Sequence, residues 1–281
     1  MSESVPHLDY DMVARYEWFR RAVWGQSEQA WLNPLFISLV RENACASCLF
    51  AGGALGRTAL AFAKLNPGIA LSVFLPSSYG AERAREIAKA NNLACSLLSG
   101  DRSELAGDIP HPADCVFSPN WMTEPEWNIL KTHFESAYAA LNPGGIIAFP
   151  APRPGRDWRQ MLSIYDRWDD DTVLWHFRDG AKECLCLRGK EARAENYADV
   201  KYRFIGLNRD TSVVETTVKR LPAYWSWDIA RELAEGSGFI DCSAYGAEGE
   251  TEEASVLFVA RKPGKKKSAA ASGEMRAYAD F

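Results

Sequence analysis

The chain has 281 residues, 47% of them hydrophobic and 12% aromatic, enough to bury the core of one large domain or two small ones and too much for a disordered protein. Apolar runs such as 146–149 fall far short of the roughly 20 residues that span a bilayer. Residues 1–30 carry charges throughout, with no apolar stretch of a secretion signal, so the expectation is a cytoplasmic protein without a membrane partner. A formal net charge of −5 gives no electrostatic reason for a nucleic-acid partner, and the basic run of Lys262 and Lys265 to Lys267 reads as a solubilising tail.

In chain order, residues 8–44 hold Tyr10, Met12, Val13, Tyr16, Phe19, Val23, Trp24, Trp31, Phe36 and Leu39, among which spacings of three and four recur, which predicts an N-terminal helical cap over 1–44. Short apolar runs bounded by Gly, Pro and Asn follow at 47–51, 69–75, 94–98, 114–118 and 145–150, the pattern of buried parallel strands. Helix-like stretches lie between them at 57–65, 81–91 and 125–141, so strand and helix alternate as in a doubly wound α/β sheet. Asn142-Pro143-Gly144-Gly145 reads as a helix stop and turn.

A helical piece is expected around 158–168, then strands at 173–177, 182–187, 200–207 and 213–219 with Asp179-Gly180 and Asn208-Arg209-Asp210 as turn signals. This is an antiparallel insertion over 172–220, which divides the α/β core into 45–171 and 221–263. A helix at 226–236, strands at 239–245 and 254–261, and a flexible tail over 264–281 complete the reading.

The seven cysteines are odd in number and mostly fall inside apolar segments, so they read as reduced core thiols. Cys45-Ala-Ser-Cys48 has the CxxC spacing of zinc and redox sites, but no second pair follows it at ligand distance, and no metal is expected. Cys184 and Cys186 share one strand face, a packing arrangement.

Ala51-Gly52-Gly53-Ala54-Leu55-Gly56 joins the first strand to the first helix of the sheet, where a glycine turn lets a ligand approach backbone and helix N-terminus. A dinucleotide fingerprint would need Gly at 54 and Gly or Ala at 57, where Ala54 and Arg57 stand.

Taken together with Gly100-Asp101 after the third strand, Asp114-Cys115-Val116-Phe117 as the fourth, Leu141-Asn142-Pro143-Gly144-Gly145 before the fifth, and Gly238-Phe239 with Val259-Ala260-Arg261-Lys262-Pro263 at the close, the pattern resembles the class I S-adenosylmethionine-dependent methyltransferases, in particular those acting on small molecules. The resemblance runs from about Tyr10 to Lys262. It implies a Rossmann-like, seven-stranded α/β fold with one antiparallel edge, a helical cap and an antiparallel lid, and S-adenosylmethionine as cofactor along Gly52, Gly53, Ala54, Gly56, Phe74, Asp101, Arg102 and Ser118. It implies further a methyltransferase-like enzyme acting on a small metabolite, for which a homodimer is a compatible assembly.

Two departures stand out. The family's acid two positions before the first glycine is Phe50 here, and its ribose-binding acid at the end of the second strand is Phe74. Hydrogen bonds to a charged acceptor are worth about 1.5–3 kcal/mol each, so their loss weakens cofactor binding on the order of 100-fold to 10,000-fold unless Ser77, Ser78 or Glu82 replaces them.

His7, His111 and His133 read as solvated or structural, His133 on a helix surface, while His176 within Leu174-Trp175-His176-Phe177 of the lid is the candidate general base. Tyr10, Tyr16, Trp121, Trp175 and Trp225 fall in the cap, loops and lid and are the candidate lining of a pocket for an apolar or aromatic substrate. The lost acids leave two other readings open: a repurposed fold carrying out cyclisation, rearrangement or non-methyl chemistry on the cofactor, and a non-catalytic member that binds a partner protein.

Overall fold

The computed structural model describes residues 12, 32–52, 56–100, 104–109, 111–119, 124, 126–152, 154, 172–179, 182–194, 197–208, 211–222, 226–245 and 255–264. Of the expected helical cap, they include Met12 and one helix, α1 (Leu32–Glu42). The helical piece expected around 158–168 and the tail beyond 264 lie outside them.

Strand and helix then alternate: β1 (Ser47–Ala51), α2 (Arg57–Leu65), β2 (Ala70–Leu75), α3 (Ser78–Ala90), β3 (Cys95–Ser99), α4 (Leu105–Asp108), β4 (Ala113–Phe117), α5 (Trp127–Ala140) and β5 (Leu141–Pro152). After β6 (Thr172–Asp179), β7 (Lys182–Ala194), β8 (Tyr197–Asn208) and β9 (Thr211–Pro222) come α6 (Trp227–Gly236), β10 (Ile240–Tyr245) and β11 (Ser255–Arg261). Seven strands form one sheet in the order β10-β11-β5-β4-β1-β2-β3, in which β11 alone runs between antiparallel neighbours. The four strands β6 to β9 form a separate antiparallel sheet, inserted in the chain between β5 and α6.

Period-two alternation sorts the strand residues between two cores. Cys48, Phe50, Val73, Leu75, Cys115 and Phe117 face α1, α2 and α3, which contribute Phe36, Leu39, Leu60, Phe62, Ala81 and Ala84. Leu49, Ala51, Phe74, Val116, Ile147 and Phe149 face α5 and α6, which contribute Leu130, Phe134, Ala137, Ala230 and Leu233. Each fully buried phenylalanine stabilises the fold by about 1.5–3 kcal/mol through area alone.

The Ala-Arg-Lys-Pro segment closes the sheet at the edge where β1, β4 and β5 begin. Lys262 exchanges main-chain hydrogen bonds with Gly144 and Gly145, and its Nζ donates to the carbonyls of Tyr138 and Leu141, both at 2.7 Å, at the C-terminal end of α5. Arg261 donates to the Gly144 carbonyl at 2.7 Å and to Asn43 Oδ1 at 2.6 Å. Gly145 has no room for a side chain, since a Cβ would lie 2.9 Å from the Asn142 carbonyl oxygen and 3.0 Å from that of Asp114.

Two expectations need correction, and one element is additional. Helix α5 does stop, at Ala140, and Gly144 takes a φ of 84°, but β5 begins at Leu141 rather than Gly145, with a register shift between Ala113↔Leu141 and Cys115↔Ile146. His133 is buried at 3% exposure on the inward side of α5 rather than on the helix surface. The short helix α4 was not anticipated, because four residues carry no helical period. In the second sheet, Cys184 and Cys186 do share a buried face, packed with Phe204 and Met12.

Candidate functional site

In an open α/β sheet, ligands bind outside the C-terminal ends of the strands where the strand order reverses. Here that point lies between β1 and β4, which are adjacent but lead to opposite halves of the sheet. The residues just beyond the strand ends form its rim. Gly52 follows β1 with φ 111°, a conformation that side chains oppose, and its N–H donates to the Phe74 carbonyl at 2.8 Å. Gly56 opens α2 at φ 60°, and a Cβ there would meet Val73 Cγ1 at 3.3 Å and Leu75 Cδ2 at 3.4 Å. At the neighbouring strand ends, Gly100 N–H donates to the Leu75 carbonyl at 3.2 Å and Ser118 N–H to the Ala148 carbonyl at 3.2 Å.

Four expected cofactor residues, Gly52, Gly56, Phe74 and Ser118, thus meet at one edge of the sheet. Phe74 takes part through its main chain, for its ring is fully buried in the core on the α5 and α6 side. Phe50 is equally enclosed on the opposite face, with ring centroids 5.1 Å from Phe36, 5.3 Å from Phe62 and 5.1 Å from Phe117. Ser77, one of the residues positioned to replace a lost acid, uses its hydroxyl to cap α3 by accepting from Gly80 N–H at 2.7 Å. Ser118 is different: its hydroxyl is fully buried and has no hydrogen-bond partner among the described residues, an arrangement that native structures rarely leave unexplained.

Gly53, Ala54, Asp101, Arg102, Tyr10, Tyr16, Trp121 and Trp225 lie outside the described residues. Trp175 and His176 are on β6, in the second sheet, where Trp175 pairs with Cys186 and His176 with Leu185. The His176 Nε2 contacts the Glu183 carboxylate across the β6–β7 hairpin, and both side chains are partly exposed. Glu183 was not singled out from sequence, although hairpin register across Asp179-Gly180 gives the signal. Among the described residues no group of three His, Cys, Asp or Glu side chains is placed to hold a metal ion, and no helix is long and apolar enough to cross a membrane.

No family model matches the sequence. No curated protein matches it either. Solved structures do match by fold. A S-adenosylmethionine-dependent methyltransferase from Clostridium acetobutylicum ATCC 824 superposes with a TM-score of 0.62 at 12% identity, covering 89% of this chain and 98% of that one. The sugar N-methyltransferase KedS8 from Streptoalloteichus sp ATCC 53650 gives 0.63 at 13% identity, covering 94% and 96%. The amino pentose methyltransferase CalS10 from Micromonospora echinaspora, solved with S-adenosylmethionine bound, gives 0.58 at 14% identity, covering 93% and 100%. With the seven-stranded order and its antiparallel edge, these likenesses show that the chain has the class I methyltransferase fold.

Proposed function

We propose that the chain is a S-adenosylmethionine-dependent methyltransferase acting on a small apolar or aromatic metabolite. The observation that carries this reading is the rim at the strand-order switch, where Gly52 and Gly56 keep the backbone bare and the buried Ser118 hydroxyl has no partner among the described residues. Both features suit the group: main-chain amides near the start of α2 take polar or anionic atoms of a ligand, and a buried hydroxyl is satisfied by one. When bound, S-adenosylmethionine supplies an electrophilic methyl group.

The protein's own task is then to hold an acceptor in line with that methyl group and to keep water out, which needs few catalytic side chains. In this reading residues 172–220 serve as the lid, with His176, oriented by Glu183, as the base that takes the acceptor's proton. Asp101 and Arg102 complete the cofactor contacts, and Tyr10, Tyr16, Trp121, Trp175 and Trp225 line the acceptor pocket.

One observation favours a second reading, a repurposed fold or a partner-binding protein without methyl transfer. Phe50 is locked among three other rings, so the strand-one acid position is closed to any polar contact. Calorimetric titration of nucleoside-free protein with S-adenosylmethionine and S-adenosylhomocysteine tests the first reading. Saturable binding supports the first reading, and no heat at millimolar ligand, about 4 kcal/mol of affinity, rejects it.

A further inference from the structure

The second sheet ends on β9, which among the described strands pairs with β8 alone. Its ladder to β8 runs from Thr211 to Pro222 without a register shift, and proline stands only at the last position. The other side of β9 is therefore an unbroken edge, a row of main-chain groups offered to another strand. Val213 and Val214 on this strand are 51% and 58% exposed, and Leu207 beside them on β8 is exposed as well. Most edge strands discourage a second copy with charges that repel it. On β9 the charges are Glu215, Lys219 and Arg220, and their spacing does the reverse in one register.

Two copies of one strand related by a two-fold axis pair antiparallel, and an axis perpendicular to the sheet keeps every side chain on its own face. Opposed residues are then an even number of positions apart, so the axis passes through a residue and not between two. The longest overlaps place it at Thr216, joining 211–221 of both copies, or at Thr217, joining 212–222. With the axis at Thr216, Glu215 meets Thr217, and Lys219 meets Val213. With the axis at Thr217, Glu215 of each copy stands opposite Lys219 of the other, so symmetry makes the ion pair twice. An axis at Glu215 or Lys219 opposes like charges, and one at Val218 leaves both residues facing uncharged ones. The register about Thr217 also sets Thr217 against Thr217 and Thr216 against Val218, β-branched pairs of the kind that stabilise a sheet.

We propose that two copies of the chain pair through β9, antiparallel about Thr217, joining their four-stranded sheets into one. The partner is a second copy because β9 is its own electrostatic complement in a register that also keeps nearly its whole ladder, a match that an unrelated strand has no reason to offer. The pairing uses β9 alone and stands apart from whatever the rim of the large sheet binds.

Light scattering on the full chain, over a series of concentrations, reads the mass. The expected species has twice the mass of one chain and falls to one on dilution. Glu215→Lys and Lys219→Glu each turn two attractive pairs into two repulsive ones, and each should raise the dissociation constant on the order of 10-fold to 100-fold. An equal mixture of the two variants should associate again, since each then meets the opposite charge at both positions. A structural defect in either variant would persist in the mixture. A wild-type chain that stays monomeric at about 100 μM overturns the proposal. So does a dimer whose dissociation constant neither variant changes, or a pair of folded variants that remain apart when mixed. Because the wild-type mass stands alone, a variant that fails to fold does not protect the idea.

Discussion

Putting a carboxylate back at the end of the first strand, by Phe50→Asp, is expected to damage the protein rather than repair a cofactor contact. The Phe50 ring is 1% exposed and touches the rings of Phe36, Phe62 and Phe117 at centroid distances of 5.1 to 5.3 Å. Truncating a buried phenylalanine costs about 3–5 kcal/mol. A carboxyl group left without a partner in that space adds about 1–3 kcal/mol even after it takes up a proton. The sum, roughly 4–8 kcal/mol, rivals the entire stability of about 5–15 kcal/mol found for folded domains. Urea unfolding followed by tryptophan fluorescence, with Phe50→Leu as the milder comparison, measures it. The reasoning is refuted if Phe50→Asp unfolds within about 1 kcal/mol of wild type, the scatter of an ordinary substitution. By the same logic Phe74→Asp, whose ring is also fully buried, is not a clean test of a missing ribose contact.

Other substitutions probe the rim, the opposite edge and the second sheet. Gly56→Ala places a side chain at φ 60° and against Val73 and Leu75, which should cost about 1–2 kcal/mol in thermal unfolding while leaving the fold intact. Asp114 accepts from Ala46 N–H, Ser47 N–H and hydroxyl, and Asn142 Nδ2. Burial raises its pKa, but these bonds outweigh it and hold the group below 3.8. Its stabilisation is therefore complete above the ordinary carboxylate range and disappears as pH falls through the lower folded value. Asp114→Asn should be less stable than wild type at pH 7, with the gap in urea midpoint closing on acidification. Arg220 donates twice to the buried Asp199 carboxylate, at 2.7 and 2.8 Å, and lies 3.8 Å over the Tyr197 ring. Arg220→Ala should cost about 3–5 kcal/mol by stripping a buried charge of both bonds, and limited proteolysis should then cut first within 172–222.

The α/β core was legible because its strands are buried on both faces and its helices on one. The expected strand at 47–51 and helix at 57–65 match the observed elements residue for residue. Errors gather where a different force decides. The expected helix at 81–91 starts at Ser78 because Ser77 caps it, a hydrogen bond invisible to apolar spacing. β7 runs to Ala194 and not to Leu187, because a sheet with one outer face extends its ladder through polar residues such as Arg188, Lys190 and Glu191. At the site, the glycine turn and Ser118 were readable as residue types at strand ends. That Phe50 and Phe74 face opposite cores follows only from register, and the meeting of Cys48 with Cys115 only from the pairing of two strands 67 residues apart.

On the proposed function, the two edges of the large sheet divide the work between stability and binding. Where β1, β4 and β5 begin, nearly every polar side chain is committed: Asp114 joins three segments, and Arg261 and Lys262 tie β11 to α1 and α5. Where β1 to β4 end, most of the described bonds are main-chain to main-chain, the Ser77 hydroxyl being spent on the cap of α3, and the Ser118 hydroxyl has no partner among the described residues. Substitutions should separate accordingly. Asp114→Asn should lower the unfolding midpoint without altering ligand affinity in the fraction that is folded. Ser118→Ala removes a buried hydroxyl that bonds to nothing, so it should leave stability unchanged or slightly higher, while weakening a ligand that the hydroxyl meets by about 0.5–1.5 kcal/mol. A clear loss of stability in Ser118→Ala with unchanged affinity would place that serine in the scaffold and remove the polar anchor on which the binding reading of this rim depends.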